Sequence, residues 1–350
     1  MIVTYQYRIK DSTSKKHLKE MSRSVNYVWN YCNEISQRIF RREKKFLSGY
    51  DLNSLTSGTS QELCLHSQTI QRVCEEYALR RKVSKKIKLK WRSRRRSLGW
   101  IPFKKSAIKI KDNCVCYKGQ SFKFWKTREI QGEIREGSFS QDSRGRWYVN
   151  IACEIPSENM ENTVVIEDVG IDLGLKTQLT CSHGEKYSRE KLTKKYQKRL
   201  GIAQRAKKKH QVTKIYQKIK NTRKDWNHKV TTTIVKTVKN IFVGDVSARK
   251  LAKTTMATSV YDSSWGQLRS FLKYKATKLG RGVYQDVNES FSTCRCSDCL
   301  QKTGPKGLRQ LEVREWTCGN CGSVHDRDVN AARNILRIGH DTLTKGIPFL

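Results

Sequence analysis

No stretch of this chain approaches the roughly eighteen consecutive apolar residues of a membrane-spanning helix. Its opening residues, Met1-Ile-Val-Thr-Tyr-Gln-Tyr-Arg8, lack the positive-then-apolar layout of a secretory signal. Both absences point away from a membrane or secreted protein. Acid is scarce beside base: 32 Asp and Glu against 71 Lys and Arg leave a formal net charge of +39, spread along the whole length. Such an excess repels itself unless a polyanion neutralises it, so nucleic acid is the expected partner and a cytoplasmic, nucleoid-associated location is expected with it. A disulfide framework is also missing. Cys32, Cys64, Cys74, Cys114, Cys116, Cys153, Cys181 and Cys294 follow no regular spacing and read as reduced thiols of a reducing compartment. With 350 residues the chain can still bury a core in two or three domains, which excludes a disordered tail.

Along the first half, Val3, Tyr5, Tyr7 and Ile9 alternate as in a strand. Leu18, Met21, Val25, Val28, Trp29, Cys32, Ile35 and Ile39 then recur at three- and four-residue steps, behind the cap candidates Asp11 and Ser12, and predict a long helix with a packed face. Gly49 to Ser60 reads as polar turn, and Leu63 to Ala78 as a second helix. From Arg80 to Lys105 there are thirteen Lys or Arg and no acid, with Trp91, Trp100 and Phe103 interleaved. A charge run is usually a solvated face. Cations without neighbouring acids, set among aromatics, suit a phosphate backbone and stacked bases, with Arg94, Arg95 and Arg96 at the centre. Ala107 to Ile110, Asn113 to Lys118, Ser121 to Trp125 and Arg146 to Ile155 predict strands that could close a small barrel with the first, and Pro156 to Thr163 makes a domain boundary.

The second half opens on a strand ending at Asp172 and turning at Gly174, pairs back through Leu179 to Cys181, and enters a polar helical region. Between Arg189 and Lys229 that region holds sixteen Lys or Arg against two acids, and Lys207, Lys208, Lys209, Arg223 and Lys224 are its candidate phosphate contacts. A buried strand at Asn240 to Asp245, a helix over Met256 to Leu279 and a third strand at Val283 to Glu289 follow. The order, strand, hairpin, helix, strand, helix, strand, insert, helix, is that of an α/β ribonuclease H-like fold.

The insert carries Cys296-x-x-Cys299 and Cys318-x-x-Cys321, two thiolate pairs at the spacing of a tetrahedral zinc ribbon. Directly after it, Asp326 and Asp328 open an Ala-rich helix that ends near Gly339. The plainer reading is a zinc staple followed by acids that cap a helix. In an α/β sheet of this order the strand ends converge, so Asp172 and these acids can meet and hold two divalent ions, with Mg2+ suited to carboxylate oxygens as zinc is to thiolates. Asp-x-Gly at a strand end also occurs in actin-like ATPases, but the later glycine-rich nucleotide loops are missing.

Gly170-Ile-Asp172-Leu-Gly174, Asp225-Trp-Asn-His228-Lys229, Cys296-Ser-Asp-Cys299, Thr317-Cys318-Gly-Asn-Cys321-Gly322 and Asp326-Arg-Asp-Val-Asn-Ala-Ala-Arg-Asn-Ile335 resemble the TnpB family of insertion-sequence proteins, related to type V CRISPR effectors. The resemblance covers most of the chain and is most specific from Val169 onward. It implies an RNA-guided DNA endonuclease, with a guide RNA, a double-stranded target bearing a short adjacent motif, and a RuvC-like site. The implied division is a wedge β-barrel over 1–10 and 100–160, a helical recognition insert over 11–99, a nuclease core over 161–292 and 323–340, a zinc ribbon over 293–322 and a tail over 341–350. One departure matters: the family's glutamate at the end of the second core strand falls on Gly244, beside Asp245. Glu289, ending the neighbouring strand, has the reach to replace it, and the family has a branch whose glutamate has migrated. The expected catalytic set is Asp172, Glu289 and Asp328, with Asp326 in reserve for the last and Asp245 or Asp286 as substitutes for Glu289. An inactive, guided DNA-binding regulator and an RNA-independent transposase are the competing readings.

Overall fold

Tyr5, Tyr7 and Ile9 are buried while the residues between them are open, and this alternation makes β1 (Ile2–Arg8) an inward-facing strand. The computed structural model describes residues 2–10, 14–93, 97–155, 166–306, 310 and 312–344, so the caps Asp11 and Ser12 and the boundary at 156–163 lie outside the described residues. The chain divides into two units, Met1–Pro156 and Ser157–Leu350. Among the described residues no helix is long and apolar enough to cross a membrane.

In the first unit α1 (Ser14–Glu43) buries Leu18, Met21, Val25, Val28, Trp29 and Cys32, as its spacing predicts. The stretch expected to be polar turn instead contains a helix, α2 (Gly49–Leu55). Ser48 and Asp51 form a reciprocal capping box that satisfies its first amides, a local signal outweighing the turn-like composition. α3 (Ser67–Ser84) follows. The strands β2 (Trp100–Lys104), β3 (Ile108–Lys111), β4 (Cys114–Tyr117), β5 (Gln120–Lys123), β6 (Glu133–Gln141) and β7 (Trp147–Glu154) form a four-stranded sheet, β1-β7-β6-β2, and a three-stranded one, β3-β4-β5. An antiparallel bridge between Ile9 and Phe124 joins the two. Helices and strands share one core, and the Tyr117 hydroxyl lies 2.7 Å from that of Thr69 on α3. Phe103, expected among the bases of a bound strand, is fully buried in that core, because β2 runs through the basic stretch and turns it inward.

The second unit is built on a five-stranded sheet of β8 (Ile166–Asp172), β9 (Leu179–Cys181), β10 (Lys186–Tyr187), β11 (Val238–Gly244) and β12 (Tyr284–Val287), in the order β10-β9-β8-β11-β12. β8, β11 and β12 are parallel and β9 is antiparallel to β8. Between β10 and β11 run α4 (Leu192–Arg205) and α5 (Lys209–Thr237). The single helix expected over Met256 to Leu279 is broken. After α6 (Ala248–Leu251), α7 (Ala257–Ser263) stops at Ser264, whose φ of 56° lies in the left-handed region, and α8 (Trp265–Lys278) restarts there. The two short strands β13 (Glu315–Thr317) and β14 (Val324–Asp326) close the ribbon, and α9 (Arg327–Thr344) packs on the sheet.

The two faces of this sheet are distinct. Val169, Ile171, Ile241 and Val243 join residues of α5 and α8 in one core. The other face is nearly bare at Gly170, where a Cβ would overlap the backbone of Ala332 and Leu336, so α9 approaches β8 more closely than any side chain would permit. Gly170→Ala is therefore expected to destabilise this unit by about 1–3 kcal/mol through overpacking. Chemical denaturation checks this; an unchanged unfolding midpoint contradicts the close approach.

Candidate active site

Pleat parity decides which acids can meet. Gly170 is in register with Phe242, and Ile171 with Val243, so Asp172 falls beside Gly244; Gly244 is in turn in register with Val287, two residues before Glu289. Neighbours in register share a face, as do residues two apart. Asp172, Gly244, Val287 and the position of Glu289 therefore lie on the face covered by α9. Asp286 is in register with Val243 and belongs to the opposite face, where the Tyr284 hydroxyl donates to it at 3.1 Å and Arg269 of α8 lies 3.7 Å away. Asp245 is exposed and accepts a 3.3 Å hydrogen bond from the Glu289 amide.

The Glu289 side chain fills the space above Gly244: a Cβ at position 244 would overlap its Oε2, with Ile335 of α9 at 3.1 Å on the same side. That Oε2 is buried without a hydrogen-bond partner. Burial, reinforced by the charge of Asp245 and opposed by Arg269, pushes the Glu289 carboxyl up to about 7. Asp172 is held well above the usual carboxylate range, first by burial and then by the negative charges of Glu289 and Asp328, with Arg327 and Arg314 opposing. Asp172 thus senses both of the other expected acids. They are not a tight cluster. Among the described residues, the only groups of three or more His, Cys, Asp or Glu whose ligand atoms all lie within 4.8 Å are the four cysteines and a Cys296, Asp298, His325 set.

The two acids that open α9 have separate surroundings. Asp326, the last residue of β14, accepts from the Val329 amide at 2.9 Å and pairs with Lys186 at 2.6 Å, so its oxygens are spent on capping and an ion pair that lower its pKa. Asp328 faces Arg314, whose Nη1 lies 3.2 Å and 3.4 Å from its two oxygens.

At the ribbon, Cys296 and Cys321 approach to 3.6 Å between sulfurs and Cys299 and Cys318 to 3.5 Å, a set of four that could hold one tetrahedral ion. Burial pushes the Cys296 thiol up to about 12, whereas the Thr303 hydroxyl and the Cys321 amide bring Cys318 down to about 5. His325, buried on β14, places Nε2 3.0 Å from the Cys296 sulfur. Sequence reasoning passed over it; its place four residues after Cys321 was the available signal. The ribbon is tied to α9 by two further residues that reasoning missed. Asn330 accepts from the Ser297 amide at 2.8 Å and donates to the Arg295 carbonyl, which also receives Asn334 at 2.7 Å. These amides clamp the first cysteine knuckle to the helix that carries Asp328.

The expected nucleic-acid contacts divide as well. Lys207, Lys208 and Lys209 are exposed at the turn between α4 and α5, and Lys224 is exposed on α5, but Arg223 is paired with the buried Asp262 at 2.8 Å. Arg94, Arg95 and Arg96 lie outside the described residues. Around them the basic stretch is not free of acids, as its sequence suggested: α3 and β6 supply Glu76 to Arg80 at 2.6 Å, Glu75 to Lys104 at 2.8 Å and Glu133 to Lys105 at 2.8 Å.

Because Glu289 and Asp172 favour their neutral forms in the folded chain, the fold binds more protons than the unfolded chain. It therefore loses stability as pH rises from the usual glutamate value of 4.5 through about 7. Glu289→Gln is expected to raise stability without added divalent cation by about 1–3 kcal/mol at pH 8 and to leave it unchanged near pH 4. Thermal melts at the two pH values check this, and equal effects at both would contradict it.

Residues 150–255 match the OrfB_IS605 family, described as a probable transposase, and residues 265–335 match the family described as Cas12f1-like, TNB domain. A Streptomyces pristinaespiralis protein, named provisionally as an RNA-guided DNA endonuclease, is 36% identical over 213 residues, 57% of this chain and 52% of the relative. InsQ of Escherichia coli K12, named in the same provisional way, is 28% identical over 255 residues, 63% of this chain and 60% of the relative. The TnpB-like protein L79 of Acanthamoeba polyphaga mimivirus is 29% identical over 133 residues, 36% of this chain and 24% of that protein. The chain thus spans between a quarter and three-fifths of the curated relatives it matches. A solved structure titled as a Cas12f1-sgRNA-target DNA complex aligns at 15% identity with a TM-score of 0.39, covering 96% of this chain and 99% of that one. The two family matches span the strand that ends at Asp172, the four-cysteine ribbon and the acidic start of α9, and over part of its length the chain is similar to proteins named TnpB-like and RNA-guided DNA endonuclease.

Proposed function

We propose that the chain is an RNA-guided DNA endonuclease of an insertion sequence, hydrolysing phosphodiester bonds with divalent ions held by Asp172, Glu289 and Asp328. The observation that carries this reading is the Glu289 carboxylate, whose partnerless oxygen fills the space over Gly244 on the face shared with Asp172. A buried oxygen left without a donor costs free energy, and a cation is the ligand that relieves it. Three carboxylates too spread for one ion, yet with the charges of Glu289 and Asp328 both raising the Asp172 carboxyl, suit two ions rather than one. The chemistry such a pair would supply when bound is activation of water on one side of a phosphodiester and stabilisation of the departing oxygen on the other. Mg2+ fits this all-carboxylate set.

The chain's own residues do the rest. Asp172 approaches from the end of β8, Asp328 from the first turn of α9 and Glu289 from the loop two residues past β12. Arg314 pairs with Asp328 at 3.2 Å and is the cation that a divalent ion held by Asp328 would compete with. The mixed five-stranded sheet with α9 across it supports a ribonuclease H-like, RuvC-type core, and the seven strands of the first unit support a wedge barrel carrying helical recognition elements. The exposed lysines at the turn between α4 and α5 are the proposed grip on guide RNA or target DNA.

Zinc is the proposed ion of the ribbon, and Cys318→Ser with Cys321→Ser is expected to release it and lower the unfolding midpoint of the second unit, since structural zinc supplies folding free energy. A chromophoric chelator and a melt read both effects; a double variant as stable as wild type contradicts the assignment. The function itself is tested by cleavage of a matched duplex with bound guide and Mg2+. Glu289→Gln is expected to reduce the rate by about a hundredfold or more while target occupancy is retained. Undiminished cutting removes Glu289 from the site. Occupancy without cutting by wild type favours a guided regulator, and binding of terminal repeats without RNA favours a transposase.

A further inference from the structure

In the first unit α1 buries asparagines among its apolar residues: Asn33 is fully buried and Asn26 nearly so. Their partners are the backbone of the segment that leaves α3. Asn33 donates to the Leu89 carbonyl at 2.9 Å and accepts from the Leu89 amide at 3.0 Å. Asn30 repeats the pattern on Arg92, at 2.8 Å and 2.9 Å. Between them the Trp29 indole N–H donates to the Lys90 carbonyl at 3.3 Å. Each asparagine amide thus supplies the donor and acceptor that a neighbouring strand would supply, and an irregular segment is held as firmly as a strand.

Arg92 completes the anchor. Its Nε donates to Asn26 at 2.7 Å, Nη2 to the Leu98 carbonyl at 2.9 Å, and its guanidinium lies 5.8 Å from the Trp29 ring and 5.5 Å from that of Trp100. This cation is consumed by the fold. Lys88, Lys90 and Trp91 are exposed, Trp91 retaining 47% of its surface, and among the described residues neither lysine has an acidic partner. Lys88 Nζ sits 5.9 Å from the Trp91 ring. Beside them runs an open groove of about 1250 Å³, walled on the α3 side by the exposed apolar Leu79 and Val83 and by Ser84 and Glu76.

We infer that the pinned segment Lys88–Trp91 and the groove beside it form a binding strip for single-stranded RNA. Lys88 and Lys90 take successive phosphates, an unpaired base stacks on Trp91, and Leu79 and Val83 cover its apolar edge. The combination of unneutralised cations with an exposed aromatic and an apolar wall suits a polyanion that has ring faces to stack. The Ser84 hydroxyl, which donates to the Arg81 carbonyl at 3.2 Å, leaves its oxygen to accept from a 2′-hydroxyl, which favours RNA over DNA. Asn30 and Asn33 are positioning residues: by fixing the segment before ligand arrives, they spare binding the entropy of ordering it. This strip deepens the guided reading above, since it assigns a surface to the RNA partner.

The test uses the full chain and an unstructured RNA of about eight nucleotides, within the site size of single-strand binding surfaces. With a 5-iodouridine-substituted probe, photo-crosslinking is expected to map to the peptide holding Trp91. Trp91→Ala should abolish that crosslink and raise Kd about 5- to 100-fold, the range for loss of one stacked base, whereas Trp91→Phe keeps both. Lys88→Gln with Lys90→Gln should flatten the salt dependence of log Kd by about 1.4, or 0.7 per phosphate. Asn30→Ala should weaken binding and speed amide exchange at Arg92 with no change in charge. DNA of the same sequence should bind several-fold more weakly, and polyglutamate should not displace the RNA. Wild-type binding with crosslinks elsewhere and Trp91→Ala unaffected overturns the strip alone; equal affinity for DNA overturns its assignment to RNA, and displacement by polyglutamate overturns the stacking. Failure of wild type to bind RNA at all overturns both the strip and the guided function.

Discussion

The contact between α9 and the sheet is the constraint on which the second unit depends. Gly170 leaves β8 without a side chain where Ala332 crosses, and this lets the helix lie nearly on the strand backbone. Any larger residue there would lift α9, and with it Asp328, away from the strand ends. The same face is bare again at Gly244, and there the vacated volume is taken by the Glu289 carboxylate and by Ile335. Two glycines therefore do different work on one surface: one admits a helix, the other admits an acid from the next strand.

That surface also connects the ribbon to the acids. Asn330 and Asn334 lie on the same α9 helix as Asp328 and hold the loop at Ser292 to Ser297 through carbonyl and amide groups. The first cysteine knuckle is thus fixed to the helix about one turn beyond Asp328. Loss of an ion from the thiolates would loosen the knuckle first and the helix start next. In the proposed enzyme the two metals have separate chemistry but share this mechanical link.

Much of this was legible in the sequence, and the reasons differ from element to element. The ribbon cysteines and the strand ending at Asp172 carry strong signals because metal geometry and strand ends restrict residue type at fixed spacings. Glu289 was legible only through the departure at Gly244, since a single glutamate after a strand has no pattern of its own; register then sets it on the face of Asp172 and sends Asp286 to the other. The basic stretch was half legible. Its charge was plain, but β2 ran through it unrecognised, carrying Phe103 into the core, and Glu75 and Glu133, the partners of Lys104 and Lys105, came from elements distant in sequence. Tertiary ion pairs leave no local trace. The break at Ser264 was hidden for a related reason: its backbone is held by packing around α5, where Asn227 donates to the Ser264 hydroxyl at 2.9 Å, rather than by a helix-breaking residue.

The measurement that bears most directly on the central claim is anomalous scattering from crystals of the protein soaked in Mn2+, which substitutes for Mg2+ at carboxylate sites. The account predicts manganese peaks bounded by Asp172, Glu289 and Asp328, with Arg314 moved off Asp328. Manganese bound only at other acids, with the Glu289 Oε2 still unpartnered over Gly244, would contradict it.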